Sequence, residues 1–411
     1  MSNIKKQKPE IITYCGNEQQ IDIALAAGAD HLILEHSQLS IRSWKNVLDT
    51  SFKQLESLIN YVKRKSPNTT IAIQCDLIMH QHHESVLMQL VSELNPACID
   101  YIRVQDAGVL VFFKQQWPAV KTCFIQEMGN ANTYSIQSYA KHAERQQLSL
   151  DLTYDNVKTI QQTITPHFEW LVQGPILIQH SLRRFMFGLD ETDNAENAKR
   201  KQAIHRIAQD EDYPGRYFTF YDNEHGHFMY AYFDRSLLKV IPDLVDLGLS
   251  GWIIDARGES EEYLAETVAI YKDARDTFFK SPKSYQCEVE HLNTIKKVAK
   301  RAQKVGFFKA NQTDRQRYGT HLPSENEYIK VGRVLDIKKG SRITIDCTEV
   351  IHKDDTVYAF HPKTNGLELH CLPLWDIANN VIELSDMNSL VQIPWAKGIQ
   401  QNSIIYKKLP K

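Results

Sequence analysis

Over residues 11–144 short apolar runs alternate with longer amphipathic ones, and this rhythm restricts the fold more than any other feature of the chain. Ile11–Cys15 has a strand pattern that Gly16 and Asn17 end, Ile21–Ala27 has helical spacing and stops at Gly28, and His31–Glu35 is the next strand. The alternation continues with a helix at Leu55–Val62, a strand at Thr70–Ile78 and a helix at Glu84–Leu94. Two more pairs follow, Ile99–Val104 with Val109–Gln116 and Thr122–Gln126 with Tyr134–Glu144. Strands alternating with helices of this length pack as βα units on a parallel sheet. The number of units predicts an α/β, TIM-barrel-like (β/α) domain over residues 1–280 rather than a short open sheet.

Beyond residue 165 the pattern predicts a strand at Glu169–Ile178 and an exposed charged insertion at about 188–216, with a helix near Glu196–Ala208. Asp222–Gly226 is a turn signal between Tyr217–Tyr221 and Phe228–Phe233, which predicts a hairpin. A helix at Leu237–Leu247, a strand at Gly251–Ile254 and a long helix at Glu261–Phe279 complete the domain. Residues 281–325 read as a linker with one basic helix. From Tyr328 the texture changes to short strands at Ile329–Ile337, Ser341–Cys347, Thr356–Phe360, Leu367–Leu372, Val381–Leu384 and Ser403–Tyr406. That spacing predicts a small C-terminal all-β barrel domain over residues 326–411.

A chain of 411 residues is too long for one ordinary core and points to two or three domains. Its net charge of -2 excludes a molecule that is basic overall, so any RNA contact needs a local patch. There is no apolar run of membrane-spanning length, and Met1–Lys8 lacks the apolar stretch of a signal peptide, so a cytoplasmic location is expected. The seven cysteines are odd in number, form no CxxC pair and sit mostly in apolar runs, as reduced buried thiols do.

Chemistry in such a barrel sits at the C-terminal ends of the strands. The polar residues expected there are Glu35, Arg42, Asp76, His80, Asp106, Gln126, Glu127, Asn130, Asp255 and Arg257. Asp255 and Arg257 are the catalytic candidates, because a carboxylate beside a guanidinium can hold a small acid or a phosphate; the same pair reads equally as a rim ion pair. Arg42, Gln126, Asn130, Gln173, His180, Arg183 and Arg184 are candidates for substrate or RNA binding, with a solvated loop as the alternative at the last three. Lys296, Lys297, Lys300, Arg301, Lys304, Lys309, Arg315 and Arg317 crowd one stretch with Phe307, Phe308 and Tyr318 interleaved. Lys297, Lys300 and Arg301 therefore join the RNA-binding candidates, although such runs are often solvated helix faces. Asp76, His80, His82, His83 and Glu84 offer metal donors without a metal-site spacing and read as a helix start, so no metal is expected. His225 and His227 flank a turn and are expected to be exposed. No GxSxG or zinc-protease motif occurs, and Cys15 and Cys123 lie in apolar surroundings that silence a thiol.

Several segments resemble, in order and spacing, the bacterial peptidase U32 family. Tyr14–Asn17 followed by Ala26–Asp30 is similar to its opening "AGN…AGAD", and Leu39–Arg42 to its "FSLR". Gln126–Asn132 falls where the family has a Gln/Asn-rich strand end. Glu169–Pro175 resembles "EVFVHGA", and Ile253–Tyr263 resembles "KIEGRMKSPEY". Where many members carry cluster-binding cysteines this chain has Leu177 and Arg184, Gln173 replaces the histidine before glycine, and there is no cysteine between Cys123 and Cys287. An iron–sulfur cluster needs about four converging thiolates, so none is expected, and the chain resembles the cluster-less branch.

The resemblance implies a component of tRNA wobble-uridine hydroxylation, forming 5-hydroxyuridine, with tRNA and a cluster-bearing U32 paralogue as partners. It also implies a small carboxylic acid such as prephenate in the barrel mouth. The same family admits a collagenase-like peptidase, a non-catalytic scaffold and an accessory protein of quinone-biosynthesis hydroxylation.

Overall fold

The apolar runs form the staves of a closed barrel. A computed structural model describes residues 8–42, 51–125, 127, 129, 131–164, 167–186, 203–209, 216–309, 327–361 and 364–409. Its first strands are β1 (Glu10–Cys15), β2 (His31–Leu34), β3 (Thr70–Cys75), β4 (Tyr101–Val104), β5 (Lys121–Ile125), β6 (Arg145–Gln147) and β7 (His167–Ser181). They are followed by β8 (Ile204–Gln209), β9 (Tyr217–Asn223), β10 (Gly226–Ser236) and β11 (Gly251–Ile254). Strands β1 to β7 pair in parallel in chain order, and β11 pairs with both β7 and β1, closing an eight-stranded parallel barrel. The predicted TIM-barrel-like domain is thus present.

The helices alternate with these strands: α1 (Glu18–Ala27), α2 (Phe52–Lys65), α3 (Glu84–Glu93), α4 (Ala107–Gln116), α5 (Thr133–Ala140), α6 (Tyr154–Gln161), α7 (Ile241–Asp246), α8 (Glu261–Lys280) and α9 (Val289–Val298). Asn17, Asp106, Asn132, Thr153 and Ser260 accept backbone N–H groups at the starts of α1, α4, α5, α6 and α8. A short polar side chain at each of these positions satisfies helix-end donors, so the chain turns from strand to helix at a fixed place.

Three local expectations change. Glu144 does not end a helix: α5 stops at Ala140, and Arg145–Gln147 is a buried strand whose polar sequence carries no strand signal. In the helix expected at Glu196–Ala208, residues 196–202 lie outside the described residues and Ile204–Ala208 is strand, its backbone groups taken up by β9. His227 is buried and His225 nearly so, because the β9–β10 turn is folded against the loop after β2, where His225 Nε2 lies 2.8 Å from the Ser37 carbonyl.

Strand β7 runs past the barrel end and pairs antiparallel with β10, from Gln173↔Ser236 to Ser181↔His227. This extension lays Tyr221, Phe228 and Tyr230 against Ile41, Leu77 and Leu177, a small apolar cluster apart from the main core. Strand β12 (Ala302–Lys304) pairs in parallel with β10, and residues 217–311 belong to the barrel unit.

The second unit takes in residues 312–411. Its strands are β13 (Tyr328–Lys338), β14 (Arg342–Cys347), β15 (Thr356–His361), β16 (Thr364–His370), β17 (Trp375–Asp376), β18 (Leu390–Pro394) and β19 (Ile404–Lys408). They form one antiparallel half-barrel sheet, ordered β16-β15-β19-β13-β14-β18-β17, around Val331, Val334, Ile343, Ile345, Val357, Ala359, Val391, Ile393 and Ile405. The strand expected at Val381–Leu384 is reduced to two isolated bridges, at Val381 and Leu384, and Leu390–Pro394 supplies the pairing to β14 instead.

Candidate active site at the barrel mouth

A charged layer fills the barrel below its mouth. Such interiors are usually packed with branched aliphatic side chains. Here Glu169 on β7 is fully buried between Arg103 on β4, which it contacts directly, and Arg145 on β6, whose Nη1 donates to it at 2.9 Å. Arg103 also donates to Gln147 at 2.6 Å and to Gln74 at 3.0 Å. Burial alone would raise the Glu169 carboxyl; the two guanidiniums override it and hold the group down to about 2. Gln74 passes the chain of hydrogen bonds upward to Asp76 at 2.9 Å, and Asp76 accepts the Ile41 backbone N–H at 2.9 Å.

At the mouth, Asp255 follows the last residue of β11 and Glu35 follows β2. Arg257 joins them. Its Nε and Nη2 donate to the two Asp255 oxygens at 2.9 and 2.7 Å, and its Nη1 donates to Glu35 at 2.7 Å. Its guanidinium lies 3.7 Å from the centroid of the Tyr14 ring. Ser40 donates to the same Glu35 oxygen at 2.7 Å. Arg42 reaches Asp255 at 3.3 Å, contacts Glu127 directly and lies over Tyr230. Asn223 from the hairpin donates to the Ile41 carbonyl at 3.0 Å and so ties down the loop that carries Arg42.

Gly174 makes the Asp255 position possible. Its φ is +133°, and a Cβ there would lie 2.6 Å from the Asp255 carbonyl oxygen and 2.9 Å from the Asp255 Cβ. A side chain at this point would be both conformationally strained and in collision with the site.

The two carboxyl groups that share Arg257 are driven apart. Burial raises Glu35, and Arg257 and Ser40 offset this only in part. Burial also penalises ionised Asp255, but Arg257 with Arg42 behind it pulls Asp255 below the usual carboxylate range. Two carboxyls shifted in opposite directions on a common guanidinium form an arrangement found in acid/base pairs. A narrow cleft of about 30 Å³ lies beside Glu35 and Arg257, between Tyr14–Gly16, Gln20, Ala256–Glu261 and Leu264.

The other residues singled out in the sequence do not join this group. Gln126 and Asn130 lie outside the described residues. Gln173 is buried at the end of the barrel part of β7, but its amide donates to Tyr263 and Gln303, both at 2.7 Å. His180 stacks on Phe228, and Arg183 is exposed on the segment after β7 with Arg184 beside it. Arg301 is held by Asp234 at 2.7 Å and by Glu259, while Lys300 reaches the Gly258 carbonyl at 2.7 Å and Glu259 at 3.3 Å. These cations therefore stitch the segment after α9 to the barrel, and Lys297 sits in the last turn of α9. Among the described residues no group of three or more His, Cys, Asp or Glu is placed to hold a metal ion.

The chain matches the model described as Peptidase family U32 over residues 16–318. It belongs to peptidase family U32. This U32 chain is 21% identical over 384 residues to tRNA hydroxylation protein P1 of Bacillus subtilis, covering 92% of this chain and 89% of that protein. An uncharacterized protease of Methanocaldococcus jannaschii is 20% identical, with 97% of each chain covered. tRNA hydroxylation protein P of Escherichia coli is 18% identical, with 87% of each covered.

Among the described residues no set of thiolates converges at the barrel mouth to hold an iron–sulfur cluster. Leu177 packs in the apolar cluster above the mouth. The barrel cysteines Cys15, Cys75 and Cys123 are buried thiols, with Cys123 pushed up to about 12 by burial and by Glu169. Ser40 donates to Glu35 rather than to an imidazole, and burial pushes the Cys15 thiol up.

Proposed function

We propose that this chain is a component of tRNA wobble-uridine hydroxylation that works without its own iron–sulfur cluster. The observation that supports this reading most is the near full-length similarity to proteins named for tRNA hydroxylation, combined with two buried carboxyls on one guanidinium at the barrel mouth. Glu35 and Asp255 on the shared Arg257 provide the acid and the base, and Arg42 provides a second cation. A small carboxylic acid such as prephenate would take Arg42 from Glu127, which at 21% exposure is the most accessible carboxylate of the group. Arg257 is the less available cation, since three hydrogen bonds hold its head in place.

The test is nucleoside mass spectrometry of total tRNA from a deletion strain, its complemented parent and a strain complemented with Arg257→Gln. Loss of 5-hydroxyuridine-derived nucleosides in the deletion strain, restored by the wild-type gene and not by the variant, is the expected result. An unchanged profile in a deletion strain without a redundant paralogue overturns the reading.

A further inference from the structure

The half-barrel sheet of the second unit presents a face that the barrel chemistry leaves unused. Ile405, Val357, Ala359, Val331 and Val334 point into the apolar core. Side chains alternate along a strand, so Ile404 and Tyr406 of β19 and Tyr358 and Phe360 of β15 point away from that core. The register lines them up. Lys330 stands opposite Tyr406, Tyr406 opposite Tyr358, and Tyr358 opposite Glu368. In the next row Arg333 stands opposite Ile404 and Ile404 opposite Phe360, and at the other end Tyr328 stands opposite Lys408. Directly opposed residues share a face. Four aromatic rings and three cations are thus gathered on one surface across β13, β19 and β15, with Glu368 on the neighbouring strand β16.

The rings are organised rather than scattered. Tyr328 meets Tyr358 edge to face at 5.6 Å between centroids, and Phe360 meets Tyr406 in the same way at 5.4 Å. Lys408 Nζ lies 6.0 Å from the Tyr328 centroid. The apolar core of the unit is on the opposite face, so these rings are not its interior. Strand addition by a peptide is blocked at this place, because β19 already has β15 on one side and β13 on the other. Aromatic rings interleaved with cations suit a polyanion whose flat groups are free to stack, which describes unpaired nucleotides and not a duplex.

We propose that this face binds a single-stranded segment of RNA, with bases stacking on Tyr358, Tyr406 and Phe360 and phosphates directed to Lys330, Arg333 and Lys408. The proposal rests on the reading of the chain as a tRNA-modifying component and assigns the RNA contact to the second unit.

The experiment is fluorescence anisotropy with the full-length chain, a labelled RNA stem–loop of anticodon type, and a fully paired RNA of the same length. Tyr358→Leu combined with Tyr406→Leu keeps apolar bulk while removing the stacking surfaces. It is expected to weaken loop binding roughly five- to 150-fold per ring, with an unchanged circular dichroism spectrum. Arg333→Gln, on the solvent side, serves if the leucine pair lowers stability: the slope of log K against log salt should fall by about 0.7. Equal loop affinity in these variants and the wild type overturns the proposal, as does paired RNA binding as well as the loop or a wild type that binds neither RNA. If the leucine pair loses RNA binding while a deletion strain keeps all its hydroxylated tRNA nucleosides, the hydroxylation reading fails and the RNA face stands.

Discussion

Glu169→Gln tests whether the charged layer inside the barrel is what the structure makes it. Glu169 has no exposed surface and sits between Arg103 and Arg145, which hold its carboxyl down to about 2 from an ordinary value near 4.5. A carboxyl whose folded pKa is depressed contributes stability above its unfolded pKa and loses it as pH falls through the folded one. The full difference of about 2.5 pH units corresponds to about 3 kcal/mol, of which about 2 kcal/mol is lost between pH 6 and pH 3. Glutamine is nearly isosteric with the protonated acid. At pH 7 the variant takes the carboxylate from Arg103 and leaves Arg145 with Glu10 alone, and should cost about 3–5 kcal/mol. The gap between wild type and variant should then shrink by about 2 kcal/mol on going to pH 3. Urea unfolding at several pH values, followed by the fluorescence of the buried Trp170 and Trp252, reads the barrel directly. A gap that stays constant with pH would refute the depressed carboxyl and with it the claim that the two arginines govern Glu169.

Arg235 points the other way. It is fully buried, its guanidinium lies 4.1 Å from the Trp170 centroid, none of its three nitrogens has a hydrogen-bond partner among the described residues, and burial pulls it down to about 9. Arg235→Met should therefore be neutral or raise stability by up to about 4 kcal/mol in thermal melts, and a fall of several degrees in Tm would show that an anion normally pairs with it. Gly174→Ala should abolish function in the tRNA assay while leaving the circular dichroism spectrum nearly intact, because the added methyl meets Asp255; retained activity would separate Asp255 from the chemistry. Arg257→Lys keeps one charge but cannot bridge Asp255 and Glu35 with the same fork, so it should behave like Arg257→Gln in the nucleoside profile rather than like the wild type.

The barrel and the core of its mouth were legible in the sequence for different reasons. The βα rhythm reports local structure, and it marked β1 to β5 with their helices. Asp255 and Arg257 were visible because an apolar strand, Gly251–Ile254, ends directly before them. Strand β6 was not visible, since Arg145-Gln146-Gln147 looks like loop and becomes strand only because β5 and β7 lie on either side. The interior layer was hidden for a related reason. Period two says that Arg103 and Glu169 each point inward, but whether they meet depends on the stagger of strands around a closed barrel. Asn223 and Tyr230 reach the mouth from a hairpin far along the chain, and no short-range pattern carries that contact. The basic run at Lys296–Lys309 shows the same limit: its cations look free in one dimension, and Asp234, Asp243 and Glu259 take up Arg301, Lys309 and Lys300 in three.

The two charged layers differ in what they can do with a proton. In the lower one Glu169 meets both Arg103 and Arg145, with Glu10 as a second carboxylate on Arg145, so Glu169 keeps its charge at any pH near neutral. At the mouth three carboxylates, Glu35, Asp255 and Glu127, meet two guanidiniums, so one acid is in excess. Burial raises Glu35 while Asp255 is pulled down, because Asp255 receives both nitrogens of the Arg257 fork and a contact from Arg42 while Glu35 receives one nitrogen and a hydroxyl. Gln74 links the layers through Arg103 and Asp76, which fixes the loop backbone at Ile41 one residue before Arg42. The lower layer therefore sets geometry, and the upper one carries Glu35, whose carboxyl burial raises, beside the cleft at Tyr14.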